Sequence, residues 1–206
     1  MTGPYDQHHM PRELAVTCPA CGACATFHFA AAREIERNSD KPYFEASKAF
    51  EVRRVFRNGW QSTAIYYFGL GAKGLDNIED LPDGYSASDW HHRRYSGQGQ
   101  RGAIVCGSCG LRRKHRLKWP DDAFFQIEFR GRVLWAFDRQ SMVSLIAYVE
   151  AADRKPQRRR GQETFLIKVP SHFLAAKARD RVARRLRDRL AVSDDRRWSE
   201  RGGVKQ

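Results

Sequence analysis

Cys18-Pro19-Ala20-Cys21-Gly22 and Cys106-Gly107-Ser108-Cys109-Gly110 are two copies of one short pattern, with 84 residues between Cys21 and Cys106. Two residues between cysteines let a single tight turn aim both thiolates at one ion. The glycine after the second cysteine accepts the positive φ that turns backbone amides toward sulfur. Two such turns complete a tetrahedral four-thiolate site, with Cys18, Cys21, Cys106 and Cys109 as ligands. The long separation does not forbid this, because the entropy of closing a loop grows only logarithmically with its length. Other chemistries use the same spacing. Cys18, Cys21 and Cys24, with His28 four residues on, are like part of an iron–sulfur ligand set, but that set would strand the equally well-formed Cys106/Cys109 turn. Redox dithiols and unligated thiols are further readings. With zinc in the four-cysteine site, Cys24 is a spare buried thiol.

The two turns and their flanking residues resemble the paired knuckles of zinc ribbons, such as those of transcription factors and topoisomerases, in which each knuckle caps a β-hairpin. The resemblance implies one structural zinc ion and a β-rich surround. It covers only the knuckles and the strands beside them, and this chain departs from a compact ribbon by the inserted stretch, residues 25–103. That stretch is expected to form a sheet-rich subdomain whose ends the metal closes. Four thiolates fill every zinc position and leave none for water or substrate, so the site argues for structure rather than catalysis.

The chain has 206 residues, of which 41% are hydrophobic and 30% charged. That is enough for a core and unlike the uniform polarity of disorder. No window approaches the roughly 18 consecutive apolar residues of a membrane span, and Met1 to Val16 has neither a basic nor an apolar leader region. The expectation is a cytoplasmic protein without a membrane partner. In a reducing compartment, five cysteines with four in paired turns read as metal ligation before disulfides. The net charge is +13, and its distribution is uneven: 12 basic and 12 acidic residues up to Gly110, then 25 basic and 12 acidic. A surplus confined to one half suggests a polyanion, and nucleic acid first. The plainer reading is an arginine-rich composition without selection for binding.

Along the chain, residues 1–13 read as a loosely held arm and residues 14–152 as the interrupted ribbon domain. Tyr43 to Phe56 and Gln61 to Phe68 flank Asn58-Gly59 as two hairpin strands. Gly69 to Tyr95, dense in Gly, Pro, Asp and Ser, reads as a long ordered loop with at most one short helix, pinned by Trp90 and Tyr95. A basic strand is expected from Leu111 to Trp119, and a second hairpin around Gly131 from Phe124 to Phe137. Asp138 is placed to cap a helix over Arg139 to Ala152, with Met142, Leu145, Ile146 and Val149 on one face. Residues 153–206 follow as an Arg-rich linker, a helix over His172 to Leu190 capped by Ser171, and a tail. Leu174, Ala178, Val182, Leu186 and Leu190 would face inward.

Two surfaces are candidates for nucleic acid. Alternation along the basic strand puts Arg112, Lys114, Arg116 and Lys118 on one face, recurring about every 7 Å, close to the spacing of phosphates along a strand. The alternative is a solvated edge strand protected by its charges. Lys177, Arg181, Arg184, Arg185 and Arg189 oppose the apolar stripe of the last helix, and Arg158, Arg159 and Arg160 lie in the linker. Such a helix can follow a phosphate backbone, or be merely solvated. Trp60, Tyr66, Tyr67, Trp119 and Trp135 could stack on bases, although aromatics at strand spacing are more often core. Gly69 to Gly74 matches G-x-G-x-x-G, but Pro82 leaves no room for the helix a dinucleotide needs. His91-His92 accompanies no nucleophile or paired-carboxylate signature.

The sequence therefore points to an α+β protein: a β-rich zinc ribbon interrupted by a long insertion and followed by a helical, basic C-terminal segment. The expected function is non-enzymatic binding of nucleic acid, DNA or RNA, along its phosphate backbone, in a transcription, replication or mobile-element assembly. The alternative is a zinc-ribbon adaptor that docks a protein partner.

Overall fold

The computed structural model describes residues 10–56, 59–71, 75, 78, 80–91, 100–152 and 161–201. Strands and helices are both abundant and the paired strands are antiparallel, so the class is α+β. The chain divides into two compact units, one of Met1–Ala25 with Trp119–Gln206 and one of Thr26–Lys118. The first unit begins with β1 (Glu13–Thr17), and the boundary falls within β2 (Cys24–Phe29).

In the second unit, β3 (Ala31–Glu34) is followed by α1 (Lys41–Ala46), β4 (Phe50–Phe56), β5 (Trp60–Tyr66), the short α2 (Ser88–His91), β6 (Arg101–Val105) and β7 (Arg112–Arg116). β6 lies between β2 and β7, with Thr26 opposite Val105 and Phe29 opposite Gly102 on one side, and Ala103 opposite Lys114 on the other. A second sheet has the order β3-β5-β4. Ala30, Ile65, Tyr67 and Ala103 form a small apolar cluster between the sheets. The opposite face of β5 and β4 is covered by Phe44, Leu75 and Trp90. Trp90 is buried as expected and donates its indole N–H to the Ala64 carbonyl at 3.1 Å. Tyr95 lies outside the described residues.

Tyr43 to Phe56 is not one strand. Its first part is α1, because Pro42 suits the first turn of a helix and Phe44, fully buried against Phe50 and Trp90, holds the turn in place. Phe50 to Phe56 then pairs with Trp60 to Tyr66 from Phe50↔Tyr66 to Phe56↔Trp60. Arg57 and Asn58 of the expected turn lie outside the described residues.

The first unit continues with β8 (Gln126–Phe129), β9 (Arg132–Trp135), α3 (Arg139–Glu150), a 3-10 segment at Gly161–Lys168, α4 (Ser171–Leu174) and α5 (Ala176–Arg201). Arg130 and Gly131 both have positive φ, the twist a two-residue hairpin needs. Asp138 caps α3 as expected. Its carboxylate accepts from the Ser141 N–H at 2.7 Å, and the Ser141 hydroxyl closes the reciprocal bond with the Asp138 N–H at 2.8 Å. Met142, Leu145, Ile146 and Val149 are buried. β1 is tied in by bonds from Ala15 N–H to Phe137 and from Phe124 N–H to Ala15.

The last helix is not continuous, and Ser171 does not cap it. Pro170 occupies the cap position without a side-chain bond, and Ala175 is extended between α4 and α5. Phe173 and Ala178, on either side of the break, are both buried. Phe173 takes the buried place expected of Leu174, which is half-buried. Ala178, Val182 and Leu186 are buried and Leu190 half-buried. Phe165 and Leu166 of the 3-10 segment join this core.

The tightest backbone approach is at Gly102, where a Cβ would lie 2.1 Å from the His28 carbonyl oxygen and 2.4 Å from the Phe27 ring. Gly102→Ala is expected to cost about 3 kcal/mol or more by overpacking. Gly107, with nothing within 4 Å, should accept alanine almost silently. Urea unfolding of the two variants checks both.

Candidate metal centre and basic surfaces

The two cysteine turns are built alike. Cys18 N–H donates to the Ala23 carbonyl at 2.8 Å and Gly22 N–H to that of Cys18 at 2.9 Å; Cys106 N–H donates to Leu111 at 2.9 Å and Gly110 N–H to Cys106 at 3.1 Å. Gly22 and Gly110 have φ of 72° and 73°, with open space where a Cβ would stand, so only backbone conformation requires glycine there. The first cysteine of each turn is buried and the second exposed.

The sulfurs of Cys18, Cys21, Cys106 and Cys109 all lie within 4.8 Å of one another. A tetrahedral zinc site with bonds of about 2.3 Å has sulfur–sulfur edges of about 3.8 Å, which this cluster meets with small adjustments. The donor set is four soft thiolates, so the residues are compatible with zinc. No other group of three or more His, Cys, Asp or Glu side chains among the described residues is gathered in this way. Cys24 is half-buried. The side chain of His91 and all of His92 lie outside the described residues.

β7 is an edge strand, shorter than the expected 111–119. Arg112, Lys114, Arg116 and Lys118 are exposed, while Leu117 is buried and His115 half-buried, in line with alternation. Arg113 breaks the pattern by being exposed as well. Arg112 Nη1 donates to the Gly69 carbonyl at 3.3 Å. Lys114 Nζ pairs with Glu51 at 2.5 Å and lies 4.5 Å from the centroid of the Tyr67 ring. Glu51 also pairs with Arg53. Burial alone would raise the Glu51 pKa, but Lys114 and Arg53 outweigh it and hold the carboxyl down at about 2. Burial, then Glu51, pushes the Tyr67 hydroxyl up. Nothing in the local sequence pattern marks the Glu51–Lys114 pair, 63 residues apart.

On α5, Lys177, Arg181 and Arg184 are exposed. Arg185 and Arg189 are also engaged within their own unit. Arg185 Nη1 donates to the Glu128 carbonyl at 2.5 Å, and Arg189 Nε to that of Phe124 at 2.7 Å with its guanidinium 4.2 Å from the Phe124 ring centroid. They fasten the helix to β8 and the segment before it. Arg158, Arg159 and Arg160 lie outside the described residues. Of the aromatic set, Tyr66, Tyr67 and Trp135 are buried, Trp119 is half-buried against Trp135 and Phe137, and Trp60 is 66% exposed. No helix among the described residues is long and apolar enough to cross a membrane.

No protein-family model matches the chain, and no curated protein or solved structure matches it either.

Metal analysis of the purified chain is expected to find one divalent ion, and Cys18→Ser or Cys106→Ser to abolish its retention and lower the thermal midpoint. Independently, the lowered pKa of Glu51 means that its pairing stabilises the fold above its ordinary value of 4.5 and that this contribution fades as pH falls toward about 2. Glu51→Gln should therefore be less stable than the parent at pH 7, with the gap in urea midpoint closing as the pH approaches 2.

Proposed function

We propose that this chain is a non-enzymatic zinc protein that binds nucleic acid, DNA or RNA, along the phosphate backbone, with an interrupted zinc ribbon as its scaffold. The observation that carries the reading is a row of exposed cations along and just beyond an edge strand that begins three residues after the second knuckle's last thiolate. Four thiolates complete the coordination of zinc, so the ion rigidifies the turn and offers no site for substrate. The strand leaving that turn then presents its charges on a fixed frame.

Arg112, Lys114, Arg116 and Lys118 are the proposed phosphate contacts. The interactions of Arg112 with Gly69 and of Lys114 with Glu51 orient these side chains while leaving them exposed. In the first unit, Lys177, Arg181 and Arg184 on α5 are proposed as separate phosphate contacts. Arg185 and Arg189, tied to backbone carbonyls, have the smaller part. Contacts of this type position a polymer without reading its bases, so little sequence preference is expected.

Fluorescence anisotropy of the zinc-loaded chain with labelled single- and double-stranded DNA and RNA, over a salt series, tests the reading. Binding should weaken steeply with salt, with a log–log slope of about 0.7–0.9 per phosphate contact. Changing Arg112, Lys114, Arg116 and Lys118 together to Gln should lower affinity at least tenfold and shrink that slope. Absence of binding at low salt, or an unchanged slope in the variant, would overturn the proposal.

A further inference from the structure

One face of the β4–β5 hairpin runs from Phe50, Val52, Ala64 and Tyr66 at its inner end to Arg54, Phe56, Trp60 and Ser62 at its outer end. The inner end is covered by Phe44 and Trp90. Toward the turn that cover stops, yet the aromatic character continues. Phe56 and Trp60 are 67% and 66% exposed, and they are the most exposed large apolar side chains among the described residues. They sit directly opposite each other in the ladder, with ring centroids 5.6 Å apart at 70°, so each ring steadies the other. Such a pair is organised before any ligand arrives, and this lowers the entropy cost of binding.

The surroundings say what kind of ligand suits these rings. Arg54 places its guanidinium 5.6 Å from the centroid of the Trp60 ring. From Val52 to Ala64 the sequence holds three arginines, Arg53, Arg54 and Arg57, and no acidic residue. Glu51, the nearest carboxylate along the strand, is occupied by Lys114 and Arg53. Two open aromatic rings in an acid-free, cationic stretch are complementary to a ligand that alternates flat π-faces with negative charge. An apolar peptide would use the rings but not the arginines. A duplex offers phosphates but keeps its base faces stacked on each other.

We propose that Phe56 and Trp60 form a stacking site for unpaired bases of a single-stranded nucleic acid, with Arg54 holding an adjoining phosphate. This inference rests on the nucleic-acid reading above and deepens it by naming strandedness and a second contact region. Stacking of this kind accepts any base, because every base has a π-face.

The test uses the zinc-loaded full chain with a labelled thymidine oligonucleotide and a duplex of equal length. Phe56→Ala with Trp60→Ala should lower single-strand affinity about tenfold or more. The salt slope and duplex affinity should stay near those of the parent, since no phosphate contact is removed. Trp60→Phe should retain most of the affinity, and the oligonucleotide should quench tryptophan emission in the parent more than in Trp60→Phe. Unchanged single-strand affinity in the double variant would overturn the stacking site, as would a parent that binds only the duplex; both leave the nucleic-acid reading standing. A parent that binds neither polymer would remove that reading and the stacking site together.

Discussion

The antiparallel pairing of β2 with β6 is the constraint on which the arrangement of this protein depends. β2 begins three residues beyond Cys21 and β6 ends one residue before Cys106, so the pairing of Thr26 with Val105 sets the residues beside the two cysteine turns next to each other. That pairing spans almost the whole insertion and must offset the entropy of closing it, a cost that rises slowly with length. Gly102 makes it sterically feasible. With no side chain there, the His28 carbonyl and the Phe27 ring occupy the space a Cβ would need. Phe27, fully buried, then packs edge-on to Phe29 and lies near His115 of β7, which ties the next strand into the same core.

A second theme is how the positive charge is distributed. Part of the surplus works inside the protein. Arg185 and Arg189 donate to the Glu128 and Phe124 carbonyls, and Lys114, still exposed, pairs with the half-buried Glu51. What remains exposed along β7 and the flank of α5 is the part that can face a polyanion. An edge strand bearing Arg112, Lys114 and Arg116 also resists pairing with another strand.

Several features were legible in the residues alone because the information is local. The cysteine turns follow from two ligands, two spacers and a glycine within five residues. The β8–β9 hairpin follows from Gly131, and the start of α3 from Asp138 with Ser141 three positions on. The four apolar positions of α3 repeat at helical spacing and are buried as that spacing requires. In each case a few adjacent residues limit the backbone to one low-energy geometry.

Other features were settled only by residues distant in sequence. Tyr43 to Ala46 lies in a stretch read as strand and is helical because Phe44 finds a pocket between Phe50 and Trp90. Ala175, a residue type that favours helix, is extended between the buried Phe173 and Ala178. Lys114 meets Glu51 only because strands of two sheets face each other. Likewise, no periodicity could separate Trp60 from Tyr66, which share one strand and one aromatic character. The covering cluster ends between them, leaving Tyr66 in the core and Trp60 in water. By itself, then, the sequence determined the cysteine turns, the second hairpin and the capped helix, whose geometry is written in neighbouring residues. The tertiary structure decided which cations and aromatics reach solvent, because burial is a property of what packs on top.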